Sequence, residues 1–360
     1  MPVLVCRKTR KNLVSRNMHE AALCGLNVKE WGGRLKAEIL KMLRESDGYV
    51  SGQQLCEEFG VSRTAVWKVI NQLKEDGYEV EAVRNKGYHI VDSPDVMTEA
   101  ELKSLIDTKW AGCEVIYYDE VDSTNLRIKQ LGDEGAPHGT LAVADMQKAG
   151  RGRRGRSWVS PPGCSIYFSL LLRPEIPPVK APMLTLVMAY SVAEAIHKCT
   201  GLDVQIKWPN DIVVNGRKMV GILTEMSTEI DYINHVVIGV GINVNMEHFS
   251  DEIAQTATSI RIETGEKVKR APIIAEIMRQ FEKDYELFVK TEDLSGIFEA
   301  YNDLLVNCDR DVRIISGEEE RQAHAFGINE LGELLIRYED GTEEAVYAGE
   351  VSVRGVYGYV

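Results

Sequence analysis

Between residues 150 and 156 the chain reads Gly-Arg-Gly-Arg-Arg-Gly-Arg, followed by Ser157 and Trp158. Three glycines and four arginines in that stretch disfavour the interior of a helix or strand. The pattern suits anion capture instead. Glycine lets backbone amides close around a ligand, and each guanidinium offers a planar fork to carboxylate or phosphate oxygens. Because the like charges repel, the loop is expected to be disordered when empty and ordered by an anionic ligand. An arginine- and glycine-rich RNA-binding tract would come as long repeats, whereas this loop is single and sits between strands.

A second group is Lys207-Trp208-Pro209-Asn210-Asp211, followed across Asn215-Gly216 by Arg217-Lys218-Met219-Val220-Gly221-Ile222-Leu223. Proline cannot donate to a sheet ladder, so the strand is expected to break there and turn Asn210 and Asp211 outward. An amide beside a carboxylate offers the oxygens that magnesium prefers, which makes Asn210 and Asp211 candidate ligands. Lys218 returns close to them on the partner strand. Taken alone, a lysine-flanked Asn-Gly hairpin is an ordinary solvated turn; the arginine loop is what gives it weight. In Val237–Asn243, Gly239 and Gly241 alternate with apolar residues and bare one strand face, for a flat ligand or for close packing. Asp122-Ser123-Thr124-Asn125 lies at a strand-to-helix turn, where Ser123 or Thr124 suits helix capping as well as ligand contact.

The elements that must position these residues follow from periodicity. Strand-like runs are expected at 114–121, 141–146, 165–172, 204–207, 211–214, 218–225 and 235–244, with helices at 125–131, 182–198 and 273–288. Hairpin links make this a mixed α+β domain rather than a Rossmann sheet. Upstream, Leu35, Ile39, Leu40 and Leu43 recur at helical spacing, and Ser51 with Gln54 forms a capping box. Gly60 stops that second helix, Ser62 caps a third, and two strands follow, turning at Asn85-Lys86-Gly87. Thr98 with Glu101 is expected to cap the next helix. Helix, helix-turn-helix and hairpin make a winged helix-turn-helix. Ser62, Arg63, Thr64 and Lys68 would open its recognition helix and Arg84 and Lys86 would tip its wing, all candidates for DNA contact; a small helical domain for protein contacts shares the layout. The expected division is a basic, disordered extension at 1–33, the winged helix at 34–92, a catalytic domain at 93–307, and a small SH3-like β-barrel at 308–360.

The strings DSTN (122–125), QKAGRGRRGRSW (147–158), KWPND (207–211), RKMVGIL (217–223) and GVGINVN (239–245) resemble those of the bifunctional biotin protein ligases and biotin operon repressors of the BirA type. The resemblance spans about residues 34–360 in chain order and leaves the extension without a counterpart. It implies an enzyme that activates biotin with ATP and Mg²⁺ to biotinyl-5′-AMP and passes biotin to a lysine of a carboxyl carrier domain. It further implies operator DNA as partner and a homodimer favoured by the adenylate. By resemblance, Ser123, Thr124, Asn125, Gln147, Gly150, Arg151, Gly152, Arg153, Trp158 and Lys218 would bind biotin. Arg156, Trp158, Lys207, Asn210, Gly239, Gly241 and Asn243 would bind ATP or the adenylate, and Lys218, Arg153, Arg156 and Asp211 would carry the catalysis. A ligase without regulatory DNA binding, a sensor without catalysis and a lipoate-type ligase are the alternatives.

The 360 residues carry 42 basic and 55 acidic side chains, a net charge of −13. Residues 1–92 hold 15 basic against 12 acidic and residues 93–360 hold 27 against 43, so DNA contact is expected only on a small N-terminal face. The segment 37–92 itself sums to −3, from 7 basic and 10 acidic residues. Seven cysteines without a C-x-x-C pair suggest reduced thiols in a cytoplasm, and neither zinc, haem nor flavin is expected. No uninterrupted apolar run approaches the ~18 residues of a membrane span.

Overall fold

The computed structural model describes residues 28–316, 319–348, 351–355 and 359–360. It divides into two compact units, 1–105 and 106–360.

In the first unit, α1 (Val28–Glu45), α2 (Gly52–Phe59) and α3 (Arg63–Glu75) precede an antiparallel hairpin of β1 (Glu79–Val83) and β2 (Gly87–Asp92). Most of the expected extension lies outside the described residues, but its end, from Val28, is helical and belongs to α1. The capping box at Ser51 and Gln54 is formed, Gly60 ends α2 in the left-handed region, and Ser62 caps α3. Leu35, Ile39, Leu40 and Leu43 of α1 pack with Leu55, Val66, Val69, Ile70 and Leu73 in one core. Gly87 is required where it stands: its φ is +120° and a Cβ there would meet the Val50 carbonyl at 2.1 Å.

The expected division after Asp92 is corrected by α4 (Glu99–Leu105), which packs on α1. The buried Glu101 carboxylate accepts from Arg44 Nη2 at 2.6 and 2.8 Å and from the Tyr78 hydroxyl at 2.6 Å. Thr98 Oγ1 accepts from Glu101 N at 3.4 Å, as the expected cap requires, while the Glu101 side chain ties the helix to the winged core instead of returning to Thr98.

The second unit is built on a seven-stranded sheet of β3 (Val115–Val121), β4 (Leu141–Gln147), β5 (Ser165–Leu172), β6 (Gln205–Lys207), β7 (Asp211–Val214), β8 (Arg217–Thr228) and β9 (Ile233–Asn243). Their order is β3-β4-β5-β9-β8-β7-β6, and only β3 and β4 are parallel. Helix α5 (Thr124–Asp133) lies on one face, where Ile128 packs on Ala142, Leu171 and Val237. Helix α6 (Met183–Thr200) lies on the other: Thr185 bonds Thr224, while Glu225, the next residue of β8, bonds Asn125 of α5. Residues 178–200 form a helix of mean hydropathy 1.3, long and apolar enough to cross a membrane by length and composition. From sequence the longest apolar stretch, Met183–Ile196, is broken by Thr185, Ser191 and Glu194; averaged along the helix, the stretch is nevertheless apolar enough. Two thirds of this stretch is buried, as in a core helix that is apolar all round.

Helices α7 (Ile260–Thr264), α8 (Arg270–Thr291) and α9 (Phe298–Leu304) follow, with α8 packed on α6. The last element is a five-stranded antiparallel sheet of β10 (Arg310–Ser316), β11 (Glu319–Ile328), β12 (Leu334–Arg337), β13 (Glu343–Val346) and β14 (Val351–Gly355), in the order β13-β12-β11-β10-β14. Among the described residues its edge strands do not pair with each other, so the expected barrel stands as a single open sheet.

Candidate functional site

A cavity of about 580 Å³ opens on the α5 face of the large sheet. One end is built from hydroxyls and amides. Ser123 precedes α5 without a side-chain capping bond, and Thr124 turns to the neighbouring strand, donating through its amide to Gln147 Oε1 at 2.9 Å. Capping therefore does not account for this motif. Ser169 Oγ lies 2.8 Å from Thr124 Oγ1 and 2.6 Å from Asn125 Oδ1. Asn125 Nδ2 donates to Glu225 at 2.8 Å, and Gln147 Nε2 to Ser160 Oγ at 3.0 Å. The polar groups brace one another, which holds their remaining lone pairs and protons in fixed directions.

The other end is cationic. Lys218 Nζ lies 2.6 Å from Asp211 Oδ1, and Arg153 Nη1 donates to Asn210 Oδ1 at 2.8 Å. Arg156 also lines the cavity. Burial lowers the Arg153 pKa, against the opposing pull of Asp211. Lys207 is 4% exposed, and burial lowers its pKa to about 8, again opposed by Asp211. The arginine loop is folded back on itself: Arg151 bridges to Ser157, Gly152 N donates to the Arg156 carbonyl at 2.7 Å, and Arg153–Gly155 form a 3₁₀ turn.

The glycine strands face an indole. Gly221 and Gly241 are paired across β8 and β9, and a Cβ on either would come within 2.8 or 2.6 Å of Trp158. A Cβ on Gly239 would overlap Asn125 Oδ1 at 1.9 Å. The bare strand face thus seats site residues of this chain. Trp158 Nε1 is buried and has no hydrogen-bond partner among the described residues.

Several sequence-based assignments change. Asn210 is not turned outward; it is 9% exposed, and its Nδ2 donates to the Ile222 carbonyl and to Asp211 Oδ1, both at 3.0 Å. Both Asp211 oxygens are engaged, Oδ2 by the Tyr359 hydroxyl at 2.5 Å. Magnesium is commonly held by one or two carboxylates together with substrate phosphates; here the Asp211 oxygens are contacted by Lys218, Asn210 and Tyr359, and Asn210 Oδ1 by Arg153. Gly150 lies under the loop, where a Cβ would meet the Trp158 carbonyl at 2.3 Å, and supports its base. Lys207 is beneath the cavity wall. Arg151, Gly152 and Asn243 line the cavity.

Sequence reading missed Ser169, Glu225, Phe168, Tyr359 and the segment from Met246 to Ala257. Ser169 had a signal, a lone hydroxyl pair with Ser165 in an otherwise apolar strand. The 246–257 segment carries no periodicity, yet Thr256 accepts from Lys218 N at 2.7 Å and so fixes that lysine's backbone.

In the winged unit, Ser62, Arg63, Thr64 and Lys68 are exposed along α3, and Arg84 and Lys86 at the hairpin tip. Lys86 Nζ stands 5.6 Å over the Tyr49 ring. Trp67, 57% exposed on the same helix, was not anticipated.

This architecture, a helix-turn-helix unit followed by a cationic cavity on a mixed sheet, defines an enzyme class joined to a nucleic-acid reader. Residues 117–243 match the biotin/lipoate A/B protein ligase family, residues 36–89 an HTH domain, and residues 308–354 the biotin protein ligase C-terminal domain. The chain is 40% identical over 324 residues to a Bacillus spizizenii protein named bifunctional ligase/repressor BirA, covering 89% of this chain and 98% of that one. An Escherichia coli protein of the same name is 32% identical over 84% of this chain and 92% of its own. The biotin protein ligase of Aquifex aeolicus, solved with biotin and ATP, superposes with a TM-score of 0.60 at 31% identity, over 67% of this chain and 99% of that one. The chain belongs to the bifunctional biotin ligase/repressor family.

Proposed function

We propose that the second unit activates biotin with ATP and transfers it to one lysine of a biotin carboxyl carrier domain. The first unit then acts as a biotin-responsive repressor on operator DNA. The observation that carries the reading is one cavity with a braced hydroxyl–amide end and a cationic end, where Lys218 lies 2.6 Å from Asp211 and Arg153 2.8 Å from Asn210. The ureido group of biotin, with one acceptor and two donors, suits the first end. Its carboxylate and the α-phosphate suit the second.

In the first step a biotin carboxylate oxygen attacks the α-phosphorus, and pyrophosphate leaves. Two anions must meet, so the contribution of the protein is positioning and charge neutralisation by Lys218, Arg153 and Arg156. Magnesium enters this reading only with the nucleotide. The product is a mixed anhydride that water would hydrolyse, and the arginine loop is the element to keep water out. In the second step the carrier lysine attacks the anhydride carbonyl and AMP leaves. Asp211, with both oxygens engaged, serves as counter-charge rather than as acceptor of the amine proton.

The adenylate would also order the loop and lower the entropy cost of pairing two copies, which couples ligand binding to operator binding by a homodimer in the cytoplasm. The net −3 of residues 37–92 favours a second reading, a ligase without regulation. Incubation with labelled biotin, ATP, Mg²⁺ and a carrier domain should add one biotin to the carrier by mass, and excess lipoate should not compete. An operator shift assay separates the two readings: binding that does not respond to biotin and ATP leaves only the ligase.

A further inference from the structure

Tyr359 lies downstream of β14, yet its side chain lines the ligase cavity. Its hydroxyl donates to Asp211 Oδ2 at 2.5 Å, and Lys207 Nζ stands 3.4 Å from its ring centroid. Two glycines admit the neighbouring Val360. A Cβ on Gly355 would meet the Val360 carbonyl oxygen at 2.0 Å, and one on Gly216, in the β7–β8 turn, would come within 3.2 Å of its Cγ2. The close approach of Val360 to these two glycines goes with the placement of the phenol against the site.

Asp211 divides its charge between two sides. Oδ1 receives Lys218 Nζ at 2.6 Å and Asn210 Nδ2 at 3.0 Å, while Oδ2 receives the phenol. A carboxylate that spends part of its charge on a phenol holds an ammonium less tightly. Lys218 is then more readily released to a substrate anion. The ring has a separate effect, because it covers the cation of a nearly buried lysine.

We propose that Tyr359 is a positioning residue of the adenylation site, setting the Asp211–Lys218 pair through its hydroxyl and covering Lys207 with its ring. The inference rests on the adenylate-forming reading above. Lys207 is held at about 8 chiefly by burial, with Asp211 opposing and Lys218, Arg354 and Arg156 adding to the depression. Uncovering it lets water restore the charged form and moves its pKa up toward the ordinary lysine value.

The test compares pyrophosphate release by the full chain, Tyr359→Phe and Tyr359→Ala, with biotin, ATP and MgCl₂, across pH, normalised to folded protein. Tyr359→Phe should lower kcat for adenylation about tenfold with the KM for ATP little changed, the effect of one lost charge-assisted hydrogen bond. Tyr359→Ala should show the same kcat loss and also move the alkaline limb of kcat/KM for ATP above that of the parent. Should the alanine chain fail to fold, Tyr359→Gln takes its place as the variant without a ring and is read on the same two measures, while Tyr359→Phe decides the hydroxyl. Parent-like kcat in Tyr359→Phe overturns the hydroxyl role, and an unmoved alkaline limb in folded Tyr359→Ala overturns the ring's. If the parent chain itself releases no pyrophosphate, the adenylate-forming reading falls, a result distinct from either.

Discussion

In the winged unit the candidate DNA contacts all fall between Ser62 and Lys86 and all are exposed. In the ligase unit the candidate residues run from Ser123 to Tyr359, and Thr124, Asn125, Asn210 and Asn243 are buried. A surface that reads a duplex needs little more than a rigid helix presenting side chains outward, and α2, α3 and the hairpin supply that from one local core. A cavity that joins two anions must gather charge from separate segments and exclude water. The first can be written in a short stretch of chain. The second depends on a sheet being correctly assembled, because Lys218 and Arg153 approach their partners from different strands and loops.

If that contrast is right, the largest effects belong to the cavity. Lys218→Ala should reduce adenylation about a thousandfold, with thermal unfolding and operator binding in the absence of ligand unchanged; turnover near that of the parent would remove Lys218 from the mechanism. Gly241→Ala comes next, since its Cβ would lie 2.6 Å from the indole of Trp158. It should cost about 1–3 kcal/mol in thermal or chemical unfolding and displace Trp158, with adenylation falling about a hundredfold. Parent-like biotin binding by titration calorimetry would mean the indole can sit elsewhere. Arg153→Gly should still form the adenylate but release it to solvent about tenfold faster, because the bond to Asn210 at 2.8 Å is lost; an unchanged release rate in a trapping assay would count against a closing loop. The smallest effect should come from the reading head. Arg63→Ala should weaken operator binding by about 1–3 kcal/mol without changing pyrophosphate release, and a loss of ligase activity in this variant would show that the two regions are not separable.

The winged unit was almost wholly legible. The capping box at Ser51, the left-handed Gly60 and the Ser62 cap each depend on residues within three or four positions, and each is formed. The exception required distant partners: Glu101 N does bond to Thr98 Oγ1, but the Glu101 carboxylate is spent on Arg44 and Tyr78. In the ligase unit the strands fell close to their expected positions, since alternation and apolar runs are local signals. The site was legible as strings but not as a geometry. Proline at 209 did interrupt the strand, yet the turn buries Asn210 instead of exposing it, with its Nδ2 donating to the Ile222 carbonyl. The alternate glycines did clear a strand face, and what stands against that face is Asn125 and Trp158 of this chain.

From its sequence alone, this protein declared its elements, their order and the kinds of charge available. Those depend on dihedral preference, side-chain period and the chemistry of neighbouring residues. Only the tertiary structure decided that Asp211 is saturated, that Glu101 moves the division to Leu105, and that Tyr359 reaches a site begun at Ser123. Contacts between residues so far apart in the chain depend on strand register and on space left by glycines elsewhere, and neither is encoded near the residues that meet.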